Sequence, residues 1–427
     1  MKTNKRWMMM IFVFFATVIN YVDRTVLGLA GPAIMEDIGI TNVQFGVLAS
    51  AFFWSYSLGN IPGGLIADKI GTKITYFGSL IVWSLATVLT GLSRTFGFMI
   101  GSRVLMGLGE SPAFPANTRI ISEWMPSSER GKANSMMTSA MAVGMGFLSV
   151  GIAWIITTYG WRNAFIICGA LGILMAVIWA VFFKEKPEDH KGVNKEELDF
   201  IRAGQPKQGK ISTDFRWYHA LKYKEIWVLC FGLFTTNYLM YMMLTWLPTY
   251  LVSVRNMILL NAGFSSIAPY LAMFFGAILG GAFSDFLINR KGYAPLKARK
   301  YTLTLAMLMM AVFIIPAPYI TSNVVALALM SCAMFAIGTL GANVWAAVAD
   351  ITPKSAVAGV AGFQNFVGQF AGILAPIVTG VLVQMTNSYN IAFVISGIFG
   401  VIAAILYMAV IKEFTLTESD TKIAVNS

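Results

Sequence analysis

Charge is scarce in this sequence. Of 427 residues only 12% are Asp, Glu, Lys or Arg, where ordinary globular chains carry about 25%, and 57% are hydrophobic. That shortage excludes a soluble globular protein, and a mean hydropathy of +0.69 points the same way. Histidine is nearly missing, since His190 and His219 are the only two and both lie in a polar stretch mid-chain. A histidine proton relay inside the apolar segments is therefore excluded, and a proton moved there must ride on a carboxylate. Cys168, Cys230 and Cys332 are far apart within apolar runs and lack metal-ligand spacing. They read as buried free thiols, with neither a disulfide nor a metal centre expected. A cleavable leader is not expected either. Lys2, Lys5 and Arg6 precede an apolar run that holds both an acid and a base, and no small-residue cleavage site follows.

What the sequence has in abundance is apolar runs of about 20 residues, each long enough to cross a bilayer as a helix. About twelve are expected. They cover Trp7–Ala30, Gln44–Ala67, Ile74–Leu92, Phe96–Ile121, Ala133–Thr158 and Asn163–Phe183, then Ile226–Val252, Ala262–Leu287, Tyr301–Tyr319, Val324–Ala349, Gly359–Gln384 and Ile391–Val410. Between the sixth and seventh lies a mixed-charge stretch with Pro187, Gly192, Gly204, Pro206 and Gly209, which reads as a linker with a short amphipathic helix at Lys195–Ala203. The expected organisation is a six-helix half over 1–183, a linker over 184–224 and a second six-helix half with its tail over 225–427. The formal net charge of +11 would suit nucleic acid in a soluble chain, but no basic patch is interleaved with aromatics here. Instead Lys and Arg gather in alternate connections, at Lys2–Arg6, Lys69 and Lys73, Arg130 and Lys132, the linker, Arg290–Lys300, Lys354 and Lys412. This positive-inside pattern predicts a multi-pass protein of the plasma membrane with both termini in the cytoplasm and the lipid bilayer as its surroundings.

Against that background, ionisable residues inside apolar runs stand out. Gly101-Ser-Arg-Val-Leu-Met-Gly-Leu-Gly-Glu-Ser-Pro-Ala-Phe-Pro-Ala-Asn117 places Arg103 and Glu110 two helical turns apart, ~10 Å along one face. An ion in hydrocarbon costs at least ~2.5 kcal/mol and is kept mainly where it lines a pathway or relays protons. Pro112 and Pro115 each remove a backbone donor, so the helix should bend one turn beyond Glu110. Asp23 and Arg24 lie late in the first apolar run. Counted from the helix ends, Asp23 and Arg103 reach similar depths, so they are expected to meet in one state of a working cycle, with Glu110 about two turns deeper.

The halves also echo one another. Gly64-Leu-Ile-Ala-Asp68-Lys-Ile-Gly71-Thr-Lys73 follows the second run, and Gly281-Ala-Phe-Ser-Asp285 with Arg290 and Lys291 follows the eighth. Met125-Pro-Ser-Ser precedes the fifth and Thr352-Pro-Lys-Ser the eleventh, which marks a parallel internal repeat.

The motif around Asp68 resembles the cytoplasmic signature of the major facilitator superfamily. Asn20-Tyr-Val-Asp-Arg24, Tyr56-Ser-Leu-Gly-Asn-Ile-Pro-Gly-Gly64, Gly107-Leu-Gly-Glu-Ser-Pro-Ala-Phe-Pro-Ala-Asn117 and Trp124-Met-Pro-Ser-Ser-Glu-Arg-Gly131 together resemble its anion:cation symporter branch, nearly end to end. The resemblance implies an all-α fold of two six-helix halves and a proton-coupled importer of a small organic anion, such as a hexuronate, aldonate or aldarate. It implies that Arg24 and Arg103 bind the anion, that Asp23 and Glu110 carry protons, and that Tyr21, Tyr56 and Asn365 hydrogen-bond the substrate. Gln364 stands beside Asn365 where the family usually has an aromatic residue, and Met141 stands where sugar-acid members commonly have glutamine. Arginine suits a carboxylate because its planar fork donates two parallel hydrogen bonds.

Asp68, Lys69, Asp285 and Arg119 lie towards cytoplasmic helix ends and read as gate residues rather than substrate ligands. The expected working form is a monomeric transporter, not an enzyme, with protons as coupling ion and no other cofactor. An antiporter of organophosphates or other anions is the alternative, since paired arginines also suit a phosphate ester.

Overall fold

Apolar runs punctuated by glycine, proline and small polar residues leave the backbone little choice but helix within each run. The structure is a computed structural model and describes residues 3–126, 128–203, 217–352 and 357–411, without the side chains at 61, 68, 217, 342 and 358. The motif residues Pro353, Lys354 and Ser355, and Lys412, therefore lie outside the described residues. Fifteen α-helices and no strand occur among those described. They are α1 (Lys5–Ile38), α2 (Asn42–Ile70), α3 (Thr72–Leu92), α4 (Phe96–Glu110), α5 (Ala113–Trp124), α6 (Arg130–Ala142), α7 (Leu148–Tyr159), α8 (Trp161–Phe182), α9 (Lys195–Ala203), α10 (Lys224–Ser253), α11 (Leu259–Asn289), α12 (Pro295–Ile314), α13 (Asn323–Ile351), α14 (Val357–Thr386) and α15 (Asn390–Val410).

Ten helical segments among the described residues are long and apolar enough to cross a membrane. With α2 and the α4–α5 pair they make up the twelve expected. Large apolar side chains point outward along these helices, Val312 at 64% exposure and Ile405 at 60% among them, as lipid-facing residues must. The protein is a multi-pass, all-helical membrane protein. Of the three cysteines expected to be buried, Cys168 and Cys230 are, but Cys332 is exposed on α13. An apolar stretch hides such a residue from water without requiring that it face other helices.

The described residues fall into two compact units, drawn from Met1–Gln208 with Leu244–Phe264 and from Gly209–Met243 with Ser265–Ser427. In the first unit, α1 stops at Gly39, whose left-handed backbone (φ 71°) lets the following turn form, and α2 opens with a Thr41–Gln44 capping box. Between α2 and α3 the chain turns at Gly71 (φ 88°), and the Glu185 carboxylate accepts the Thr72 and Lys73 backbone N–H groups at 2.8 and 2.6 Å. A carboxylate at a helix N-terminus satisfies orphan donors and opposes the helix dipole.

The bend expected beyond Glu110 is a full interruption. α4 ends at Glu110, Ser111 and Pro112 form a turn, and α5 begins at Ala113. Pro112 cannot donate to the Leu108 carbonyl, and the Ser111 hydroxyl takes that place at 2.8 Å. Pro115 then falls in the first turn of α5, where a missing N–H costs nothing. The segment Val143–Phe147 is a π turn between α6 and α7, a local widening that often marks functional regions.

The amphipathic helix expected at Lys195–Ala203 is α9. Its Glu197 accepts hydrogen bonds from the Thr3 hydroxyl (2.5 Å), the Lys5 and Arg6 backbone N–H groups (3.1 Å each) and the Arg6 guanidinium (2.9 Å). Arg6 also pairs with Glu129 at 2.7 Å, so one buried arginine ties α9 to the loop ahead of α6. In the second unit α12 packs between α13 and α15, and α10 lies along α14.

Candidate functional site

α1 delivers Asp23 and Arg24, α2 delivers Phe52 and Tyr56, and α4 delivers Arg103 and Glu110. Close approach of α4 to α2 depends on Gly107, where a Cβ would run into the Phe52 carbonyl and the Ser55 hydroxyl. All four ionisable side chains are sealed in, with Asp23 and Glu110 at 0% exposure, Arg103 at 2% and Arg24 at 7%.

Arg24 and Glu110 form an ion pair in which Nε (2.9 Å) and Nη2 (2.7 Å) both address Oε2 of Glu110. The other carboxylate oxygen, Oε1, has no hydrogen-bond partner among the described residues. Three rings surround the Arg24 guanidinium, with centroids at 5.0 Å (Tyr21), 4.7 Å (Phe52) and 4.8 Å (Tyr56). A desolvated cation over such rings gains ~2 kcal/mol or more per good contact.

Arg103 is placed differently. Its guanidinium lies 5.3 Å from the Phe52 ring and its Nη1 2.9 Å from the Met106 sulfur, a weak acceptor. Its Nε has no partner, and among the described residues it forms no ion pair. Neither oxygen of Asp23 has a hydrogen-bond partner among the described residues. The expected Asp23–Arg103 meeting is therefore absent here, and Arg24 pairs with Glu110 instead. Counting along helix axes compares Cα levels, whereas an arginine carries its charge far from its own Cα. A small cavity lies against both arginines, walled by Phe52, Phe53, Leu244 and Thr245 among others.

In the second unit, Gln364 is fully buried and donates from Nε2 to the Leu229 carbonyl at 3.0 Å. Asn365 is half-buried and accepts from Gln369 Nε2 at 3.3 Å, and the Tyr241 hydroxyl donates to Gln369 Oε1 at 3.1 Å. Of the gate residues, Arg119 donates to the Ala67 carbonyl at 2.7 Å and so covers the last turn of α2. Lys69 is exposed, and the side chain of Asp68 lies outside the described residues. Asp285 is 3.6 Å from Arg299, which also lies 3.6 Å from Asp350 and 3.1 Å from Asn343. Among the described residues no group of three His, Cys, Asp or Glu is arranged to hold a metal ion.

Phe52, Met106, Gln369, Arg299 and Glu185 escaped the sequence reading. Helical spacing could have found two of them, since Phe52 is one turn before Tyr56 and Gln369 one turn after Asn365. Glu185 could not be found that way, because it caps a helix more than a hundred residues away.

Long apolar helices that shield paired ions beside a cavity define a membrane transporter. Residues 13–376 match the Major Facilitator Superfamily, and the chain belongs to that family of transporters, not to a family of enzymes. It is similar to the probable galactarate/D-glucarate transporter GudP of Escherichia coli, with 35% identity over 98% of this chain and 96% of that one. It is also similar to the D-galactonate transporter of Escherichia coli, with 33% identity over 89% and 90% of the two chains. A bacterial homologue of the human lysosomal transporter Spinster shares the fold, at TM-score 0.75 and 20% identity over 95% of this chain and 97% of that one.

Proposed function

We propose that this protein imports a sugar acid, a hexuronate, aldonate or aldarate, together with protons across the bacterial inner membrane, as a monomer with both termini in the cytoplasm. The observation that carries the reading is Arg103, a buried cation beside a cavity with no ion-pair partner among the described residues. A buried guanidinium without a counter-ion costs several kcal/mol, and a carboxylate arriving on its fork supplies that counter-ion.

Charge balance gives the coupling. Arg24 and Arg103 offset Asp23 and Glu110 when all four are ionised. A substrate carboxylate entering this dry region adds one negative charge, and a proton on Glu110 or Asp23 cancels it. Glu110 is the better placed, since a substrate competing for Arg24 displaces its Oε2. Rocking of the two six-helix halves would then expose the loaded site to the cytoplasm, driven only by the difference in affinity between the two states. Arg119, Lys69, Asp68 and Asp285, near helix ends, are assigned to the gates that alternate during that motion. Tyr21, Tyr56, Gln364 and Asn365 are assigned to substrate hydroxyl groups.

The test is uptake by purified protein in liposomes carrying an imposed pH gradient, acid outside, with labelled D-glucarate, D-galactonate and D-glucuronate. Accumulation of at least one, abolished by a protonophore, is expected. Uptake of phosphate esters alone, in exchange for internal phosphate, would replace symport with the antiport reading.

A further inference from the structure

We infer that Gln369 is a positioning residue that sets which end of the Asn365 amide faces substrate, so that Asn365 presents its N–H donors rather than its carbonyl. The inference rests on the sugar-acid reading above and adds to it the polarity of this subsite. Two amides first fix α10 against α14. Gln364 Nε2 donates to the Leu229 carbonyl (3.0 Å) and Asn237 Nδ2 to the Gly368 carbonyl (3.1 Å). A side chain at Gly368 would strike Leu233 at 2.8 Å, so the absence of a Cβ is what permits this approach.

One turn further along α10, Tyr241 reaches Gln369. Its hydroxyl donates to Oε1 at 3.1 Å, which occupies the acceptor end of the glutamine amide. The donor end must then point away, and Nε2 donates to Asn365 Oδ1 at 3.3 Å. That occupies the acceptor end of Asn365 in turn. What remains is the Asn365 amide nitrogen, with two N–H groups that make no hydrogen bond among the described residues. The row Tyr241, Gln369, Asn365 therefore runs one way, donor to acceptor, and ends in free donors. Such an end suits the hydroxyl oxygens assigned to Asn365 above and rejects ammonium and amide N–H groups, because two donors facing each other leave both unsatisfied.

The experiment measures uptake of whichever of labelled D-glucarate, D-galactonate or D-glucuronate the wild type transports, with its hydroxyl-free counterpart, adipate or hexanoate, as competitor. Gln369→Met keeps length and shape but removes both bonds. It should raise KM for the sugar acid roughly tenfold, with maximal rate little changed and the competitor's Ki unmoved. In an Asn365→Ala background the same change should have no further effect, because Gln369 acts through Asn365. Tyr241→Phe removes one hydroxyl only and should raise KM about threefold, so it carries the test if Gln369→Met fails to reach the membrane. Unchanged KM, additive penalties in the double variant, or an equal rise in the competitor's Ki would each overturn the positioning role while leaving sugar-acid transport intact. A wild type that takes up none of the three sugar acids overturns the functional reading itself, and this subsite with it.

Discussion

In the first unit the four ionisable side chains Asp23, Arg24, Arg103 and Glu110 are buried together, whereas the cluster described in the second is Tyr241, Gln364 and Gln369, buried, with Asn237 and Asn365 half-buried, and none of these five carries a formal charge. The helix ends differ less. Arg119 covers the end of α2 in one unit, and Arg299 gathers Asn343, Asp285 and Asp350 in the other. The two units thus resemble each other at their helix ends and differ in their interiors. An ion buried among membrane helices costs ~2.5–3.5 kcal/mol or more, and a hydrogen-bonded amide far less. On the proposed function, the dearer groups are concentrated where they would trade partners with a charged solute and a proton. The cheaper ones suit recognition of neutral hydroxyls.

The largest effect expected from breaking this contrast is at Arg103. Arg103→Ala should lower sugar-acid uptake by about 100-fold or more at unchanged membrane abundance, and Arg103→Lys should not restore it, because an ammonium lacks the planar fork. Transport by Arg103→Ala at wild-type rates would remove the anion site from the first unit. Glu110→Gln comes next. It keeps the shape beside Arg24 but cannot release a proton, so counterflow exchange of labelled substrate should persist while accumulation against a gradient falls to simple equilibration. Gradient-driven accumulation by that variant would take Glu110 out of the coupling.

Much of this contrast was legible in the sequence, and for local reasons. Arg103 and Glu110 stand out because ions are rare in apolar runs, and seven residues return a helix to nearly the same face. The break after Glu110 follows from Pro112, and α9 from the spacing of its apolar residues. What could not be read is which ion meets which. The Arg24–Glu110 pair and the ring cage depend on how α1, α2 and α4 sit together. The π turn at Val143–Phe147 was equally hidden, because its glycines and apolar residues suit an ordinary helix. The amide row of the second unit was half visible, as Asn365 without its partner Gln369.

Packing between α2 and α4 sharpens the contrast at intermediate cost. The cage around Arg24 needs Phe52 and Tyr56 close to α4, and Gly107 allows that approach. In Gly107→Ala the new Cβ would meet the Phe52 carbonyl, the Ser55 hydroxyl and, at 2.9 Å, the Tyr56 backbone nitrogen. The helices must part, at a cost of about 1–3 kcal/mol for overpacking. Uptake should drop several-fold with KM rising, while the second unit's preference for hydroxylated over hydroxyl-free acids stays as in the wild type. Loss of that preference as well would show that the two interiors do not divide the work.

The smallest effect lies outside the membrane, at a further charged group of the first unit. Burial alone would push the Glu197 carboxyl up, but the Thr3 hydroxyl and the Arg6 and Lys5 donors outweigh it and hold it below the usual carboxylate range. A carboxyl whose native pKa is lowered contributes stability that is fully present above its unfolded value and is lost as pH falls through the native one. Glu197→Gln should therefore lower the thermal midpoint of detergent-purified protein by about 2–4 °C at neutral pH, with uptake little changed. The gap between wild type and variant should close as the pH is taken down through the acid range, because protonated glutamate and glutamine then make similar hydrogen bonds. A gap that stays constant down to the acid limit would mean that shape, not charge, is what Arg6 reads in α9.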